Sequence, residues 1–240
     1  MKDLFRQSFQ IKESQCTVIT DKEIALKTAQ ESIKHHRGQL EEYANKNPKF
    51  LYTLNPLPPP EHPLVAKLMA EAAQKANVGP MAAVAGVLAD LAVKDMITQG
   101  CKVAVIENGG EISAVSDRTI DVALAAGDDP LSRKFGFRLT YFPIGLATSS
   151  GRFSHALSFG DAEAATVFCK DAGLADAAAT AVGNVVKGQN HQEAIERGIN
   201  KALSVPGVEG VLILYQGLVG TAGRIPQIIK IDSEVNADQT

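Results

Sequence analysis

The 240-residue sequence predicts an α+β fold, a layered sandwich of sheet and helix, and three observations carry that expectation. Short apolar runs bounded by Gly and Asp cluster between residues 102 and 145, helical patterns follow between 174 and 203, and a further strand signal closes the series at 211–215. The segments 64–76 and 81–98 are rich in alanine and nearly free of charge on one face, the mark of helices buried against a sheet. Strands in a block, then helices, then a strand do not make the regular alternation of βαβ winding.

Taken in order, 5–11 and 16–20 are apolar or alternating around the polar 12–15 and read as a hairpin. From Asp21 to about Asn45 the apolar Ile24, Ala25, Leu26, Ile33 and Leu40 recur among charges, which predicts a surface helix with Asp21 as its N-cap. His35 and His36 fall within it as solvated residues, and 50–54 reads as a strand. Five prolines in 55–63 exclude helix and cannot donate to a sheet, so this is a stiff connector. The two alanine-rich helices break at Gly79-Pro80. Strands are expected at 102–106, 112–115, 120–125, 138–145, 164–168 and 211–215, with helices at 174–186 and 191–203 between the last two. The expected organisation is one domain over 1–240, with a hairpin, helix and connector in 1–63 and the core in 64–240. A chain this long buries about 70–75% of its unfolded surface without disulfides or a structural metal.

A net charge of -3 and a pI near 6.0, without any run of five basic residues, give no field that would hold nucleic acid. No stretch of eighteen apolar residues and no apolar segment behind Met1-Lys2-Asp3 is present, so a cytoplasmic protein with no membrane partner is expected. Cys16, Cys101 and Cys169 are an odd number at wide spacing, which fits free thiols in a reducing compartment and matches no zinc pattern. Gly217, Gly220 and Gly223 repeat every third residue but open no helix, so they are not a dinucleotide fingerprint.

Three segments carry polar chemistry. Asn108-Gly109-Gly110-Glu111 follows an apolar run; its glycines permit positive φ, which serves either a tight hairpin turn or close approach of backbone amides to a ligand phosphate. Thr148-Ser149-Ser150-Gly151 offers three hydroxyls and a permissive backbone, as a plain Ser/Thr turn or as a cradle for a phosphate or a ring edge, with Arg152 and His155 shortly after. Asp176 and Thr180 lie four apart on a helix, so their oxygens share a face and either bind one hard cation or serve the helix itself.

The order and spacing of these segments resemble the ApbE flavin-transferase superfamily over residues 64–235, and a smaller, cytoplasmic ApbE-like family most of all. In that superfamily an N-x-G-G-D element follows a strand, a T-S-G element precedes a histidine motif, and an A-D-A-x-A-T helix supplies magnesium ligands. The resemblance implies a layered sandwich with a mostly antiparallel sheet. It also implies Asn108, Gly109, Gly110, Thr148, Ser149, Ser150 and Gly151 around a flavin nucleotide (FMN or FAD), and Asp176 and Thr180 on Mg2+ with a third, main-chain ligand near Ala82–Gly86. His155 stands where the family's catalytic histidine opens H-x-x-D-P-x-T-G, but the D-P-x-T-G part is missing here, and Glu111 replaces the usual Asp. Two functions follow as expectations. One is an enzyme that binds a flavin or other phosphate-bearing metabolite with magnesium and transfers or hydrolyses at the phosphoryl group. The other is a non-catalytic ligand-binding or assembly protein, accessory to sulfur or homocysteine assimilation, with Cys101 or Cys169 handling sulfur. A homodimer is expected in either case.

Overall fold

The computed structural model describes residues 4–123, 135–150 and 160–230. The alternation of side chains along β3 (Val103–Asn108) explains the architecture. Ala104 and Ile106 join one apolar cluster with the helices, whereas Val103 and Val105 join a second cluster on the opposite face. The strand is thus covered on both sides, which is why it reads as a continuous apolar run.

The sheet around it has eight strands in the order β1-β2-β3-β4-β7-β8-β9-β10, and every pairing is antiparallel. Its strands are β1 (Phe5–Ile11), β2 (Ser14–Thr20), β3, β4 (Glu111–Ser116), β7 (Ile144–Ser149), β8 (Ala164–Cys169), β9 (Val208–Tyr215) and β10 (Leu218–Gly223). Against one face packs a small antiparallel sheet of β11 (Gln227–Lys230), β6 (Phe135–Leu139) and β5 (Ile120–Ala123). Phe137 from the small sheet meets Phe168 from the large one edge-on, with ring centroids 5.0 Å apart; burying such a ring contributes about 2–3 kcal/mol. Against the other face lie α1 (Ile24–Lys46), α3 (Leu64–Ala76), α4 (Val84–Thr98), α5 (Ala172–Gly183) and α6 (His191–Leu203). The expected α+β layering with alanine-rich buried helices and a mostly antiparallel sheet is the fold observed. The N-terminal hairpin is not peripheral, because β2 pairs with β3 and α1 packs on α4.

Several local expectations are overturned. Residues 49–52 form a short helix α2 (Lys49–Tyr52), where a strand was expected, with Pro48 pre-setting helical φ at its start and Phe50 packed edge-on against Tyr43. Asp21 does not cap α1; its carboxylate accepts from the amides of Lys102 and Val103, both at 3.0 Å, and so continues the ladder where β2 stops at Thr20. The expected strand 138–145 is two strands in different sheets, parted by a turn containing Pro143, which has no N–H to give. His36 is not solvated. It lies on the buried stripe of α1 with Ala29, Ile33 and Leu40, its ring 3.7 Å from the Asp95 carboxylate of α4. The edge strand β10 escaped notice because only its glycine spacing stood out. Gly217 and Gly223 take positive φ at its two ends, and Gly220 sits under Ile195 of α6.

The alanine-rich helices come close enough to need glycine. A Cβ on Gly86 of α4 would lie 2.2 Å from the Ala172 carbonyl oxygen, and one on Gly145 of β7 would lie 2.1 Å from the Asp171 carbonyl carbon. The N-terminus of α5 is therefore wedged between α4 and β7, and that wedge sets where the next turns of α5 point. Among the described residues no single helix is long and apolar enough to cross a membrane. A bent pair, α3 with the 3-10 turn Pro80–Ala83 and α4, passes by length, but its apolar side chains are the protein core.

Candidate functional site

The register brings two of the three polar segments to one end of the large sheet. Ile112 stands opposite Leu146 across β4 and β7, so the β3–β4 turn and the Thr148–Ser150 end of β7 are neighbours. The third segment reaches the same end from above, because α5 begins beside Gly145 and runs back along β7 and β8. Two α5 turns then carry Asp176 and Thr180 over the helix-bearing face.

Asn108-Gly109-Gly110-Glu111 is a two-residue hairpin turn, with φ of 70° at Gly109 and 111° at Gly110, values only glycine takes readily. Much of its polarity is engaged within the protein. Asn108 is 2% exposed; its Oδ1 accepts from the Cys16 thiol at 3.4 Å and its Nδ2 donates to the Ala85 carbonyl at 3.0 Å. The Gly109 amide donates to Gln15 at 3.0 Å. Glu111 shares the helix-bearing face with Ser113, whose hydroxyl donates to Asp90 of α4 at 2.7 Å.

On β7 the same alternation separates neighbours. Ala147 belongs to the helix-side cluster, which puts Ser149 on that face and Thr148 on the other. Thr148 is hydrogen-bonded to Thr166 through the two hydroxyls, 2.9 Å apart. Ser150 is 6% exposed and its hydroxyl has no partner among the described residues. Gly151, Arg152 and His155 lie outside the described residues.

Asp176 is half-buried and accepts from the Gly86 amide at 3.0 Å. That amide is in the first turn of α4, a helix whose N-cap, Ala83, has no side chain able to cap. The main-chain segment Ala82–Gly86 thus adjoins Asp176. Burial pushes the Asp176 carboxyl up to about 7, with the charge of Asp90 adding to it and the amides of Gly86 and Ala85 opposing it. Burial also pushes Glu111 well above the usual carboxylate range, and the charge of Asp176 is the next cause. No ion pair between described residues involves either acid. The Thr180 hydroxyl has no hydrogen-bond partner among them either.

Sequence reasoning passed over Asp90, the one acidic residue in the otherwise apolar first ten residues of α4, a placement that could have marked it. It caps α5 from outside, accepting from the amides of Ala172 at 2.9 Å and Gly173 at 2.8 Å. A groove of about 630 Å³ lies at that end of α5, lined by Leu68, Asp90, Ile97 and Leu174 among others, and none of the sequence-predicted site residues lines it. The three cysteines are free and buried. Burial pushes the Cys16 thiol up to about 12 and raises Cys169 as well, the opposite of what a sulfur-handling thiolate needs.

Comparison with known proteins agrees with this fold. A UPF0280 protein of Methanococcus vannielii is 39% identical over 237 residues, covering 97% of this chain and 96% of its own. One from Methanocaldococcus jannaschii is 36% identical over 236 residues, covering 96% of each. Among solved structures, the flavin transferase ApbE of Vibrio cholerae matches with a TM-score of 0.61 at 12% identity, covering 92% of this chain and 97% of that one. The flavinyl transferase ApbE of Pseudomonas stutzeri matches with a TM-score of 0.59 at 15% identity, covering 92% and 94%. These likenesses establish a common fold. A family model described as AbpE bacteria matches residues 2–206, and on that match and the UPF0280 relatives the chain belongs to this ApbE-like family.

Proposed function

We propose that the protein binds a flavin nucleotide, FMN or FAD, at the end of the sheet where Ser149, Ser150 and Gly110 meet Asp176 and Thr180. The observation that carries the reading is the pair of acids Asp176 and Glu111. They lie on the helix-bearing face, close enough for one charge to raise the other's pKa, and no cation among the described residues offsets them. A buried carboxylate without a counter-charge is costly, and a divalent cation is the counter-charge that fits oxygen donors. Asp176, Thr180, Glu111 and a main-chain carbonyl of the Ala82–Gly86 segment would hold magnesium. Among the described residues no three His, Cys, Asp or Glu side chains form a metal cluster, so waters and the nucleotide's phosphate oxygens complete the shell. Bound there, magnesium supplies charge stabilisation at a phosphoryl group. The Ser150 hydroxyl, without a partner among the described residues, and the half-buried Ser149 support the same ligand, because a buried hydroxyl without a bond costs about 1–3 kcal/mol unless something satisfies it.

The reaction we infer is transfer or hydrolysis at the phosphoryl group, with His155 as the acid or base and Gly151 beside the ligand. The second reading is a ligand-binding or assembly protein without chemistry, and the absence of D-P-x-T-G after His155 favours it. Its sulfur-handling form is disfavoured by the raised Cys169 thiol. Both readings place a cytoplasmic homodimer in solution, with no membrane or nucleic-acid partner, which light scattering on the purified chain tests.

Thermal melting in the presence of magnesium, FAD and both together tests the binding claim. A ligand at a hundred times its dissociation constant stabilises the native state by about 2.7 kcal/mol. Both together should raise the melting temperature by more than the sum of each alone, and Asp176→Asn should remove that synergy. Absence of synergy with FAD, FMN or any other nucleotide removes the reading. Incubation of FAD with magnesium and the protein then separates the two functions, since release of FMN or flavinylation of an acceptor marks the enzyme.

A further inference from the structure

Asn108 opens the element most closely associated with ligand binding in the sequence, yet its side chain faces the protein. Three hydrogen bonds run in series from it. Cys16 stands directly opposite Asn108 across β2 and β3, and its thiol donates to Asn108 Oδ1 at 3.4 Å. Asn108 Nδ2 donates to the Ala85 carbonyl at 3.0 Å. The next amide along, Gly86, donates to Asp176 at 3.0 Å. The series links β2, β3, the first turn of α4 and the acid on α5, all half-buried or buried.

We propose that Asn108 is a positioning residue, a strut that fixes the first turn of α4 so that the Gly86 amide faces Asp176, and that the Cys16 thiol completes the strut by satisfying the amide oxygen whose orientation the Ala85 carbonyl sets. An asparagine amide is nearly symmetric in shape, and its partners decide which end is oxygen. The Ala85 carbonyl can only accept and so takes the N–H end, and the Cys16 thiol, which can donate, satisfies the oxygen on the β2 side. With the amide reversed, Oδ1 would oppose the Ala85 carbonyl, two acceptors in contact, and the α4 turn would withdraw. The first turn has no side-chain cap of its own, and among the described residues the Asn108–Ala85 bond is the one hydrogen bond that ties it to β3. The consequence for ligand binding rests on the magnesium and flavin reading above; the positioning itself does not.

The test reads the Gly86 amide directly, by hydrogen exchange or its NMR signal in the ligand-free full-length protein, alongside magnesium-dependent FAD binding. Cys16→Val keeps the volume and removes the donor, whereas Cys16→Ser keeps a donor. Expected are at least a tenfold faster Gly86 exchange and a roughly threefold weaker FAD affinity in C16V. C16S should match the wild type in both. Asn108→Leu should exceed C16V in both effects, and if it fails to fold the two Cys16 variants still decide. Weaker binding in N108L with Gly86 exchange unchanged would mean that Asn108 touches the ligand, and the strut is wrong. Equal exchange in C16V, C16S and wild type overturns the role of Cys16. If Gly86 responds as expected but no variant, wild type included, binds FAD with magnesium, the strut stands and the functional reading falls.

Discussion

Two carboxylates bridge α4 and α5 in opposite senses. Asp90 on α4 caps the N-terminus of α5, and Asp176 on α5 caps the N-terminus of α4. The sites differ in how far each acid is satisfied. Asp90 receives three hydrogen bonds, from Ser113, Ala172 and Gly173, and its carboxyl rises only to about 6 despite burial. Asp176 receives one close amide bond, faces a second acid in Glu111, and rises to about 7. Donors that fully surround a charge make it structural; a charge left partly unmet in a packed interior is waiting for a partner. The comparison separates a cap that holds the fold from a cap that the proposed function makes a binding group as well.

The largest effect should fall on the satisfied side. Asp90→Ala orphans the Ser113 hydroxyl and two helix amides, and should destabilise the protein by about 3 kcal/mol or more in urea unfolding. Gly86→Ala should come next. Its Cβ would meet the Ala172 carbonyl oxygen at 2.2 Å, so α4 and α5 must part, at a cost of about 2–3 kcal/mol and with loss of magnesium-dependent binding. If D90A proves mild while D176A unfolds the chain, the two roles are reversed.

Protonation sharpens the contrast. Both acids have folded pKa values above the unfolded value of about 3.9. For a raised carboxyl the favourable contribution is complete below the unfolded pKa and is lost as pH rises through the folded one. Ligand-free protein should therefore lose stability from these groups between about pH 4 and pH 7. Asp21 and Asp121, held low by their amide and Arg138 partners, act in the opposite sense, so the informative quantity is mutant minus wild type. Asp176→Asn keeps an acceptor for Gly86 and cannot ionise. It should raise ligand-free stability at pH 8 by about 1–2 kcal/mol and change nothing at pH 4. Magnesium should bind wild type more tightly at pH 8 than at pH 6, and a flat profile would count against ionisation of Asp176 on binding.

The layering was legible because both of its signals are periodic. Apolar β3 and the alanine-rich α4 are long enough for burial to outweigh local preference, and α6 was placed at its observed bounds, 191–203. The connections were less legible. Asp21 has the chemistry of a helix cap, but the amides of Lys102 and Val103, at the entry to β3, claimed it, and nothing local to Asp21 announces a strand eighty residues on. The site was half legible for the same reason. Spacing put Asp176 and Thr180 on one face, and hairpin chemistry gave the Gly109-Gly110 turn. Which residues turn inward depends on register with other strands: Asn108 meets Cys16, and Thr148 meets Thr166, only once the sheet is assembled. The proximity of Glu111 to Asp176, through which the charge of Asp176 raises Glu111, is likewise tertiary.

The smallest expected effects concern the two adjacent hydroxyls of β7, which the sequence treated alike and the sheet places on opposite faces. Thr166 is fully buried and its hydroxyl is paired with Thr148. Thr148→Val keeps the shape and leaves Thr166 without that bond, so it should cost about 1 kcal/mol of stability while FAD affinity stays within twofold of wild type. Ser149, on the face shared with Asp176, should behave in reverse. Ser149→Ala removes a hydroxyl that faces the proposed ligand and that bonds no described residue, so the melting temperature should hold. Magnesium-dependent FAD affinity should fall roughly three- to tenfold, the worth of one neutral hydrogen bond. Calorimetric titration of the two variants beside their melting curves reads both quantities. A loss of binding in T148V equal to that in S149A would place the ligand across both faces of β7, and the helix-side site would have to be redrawn around the end of the strand.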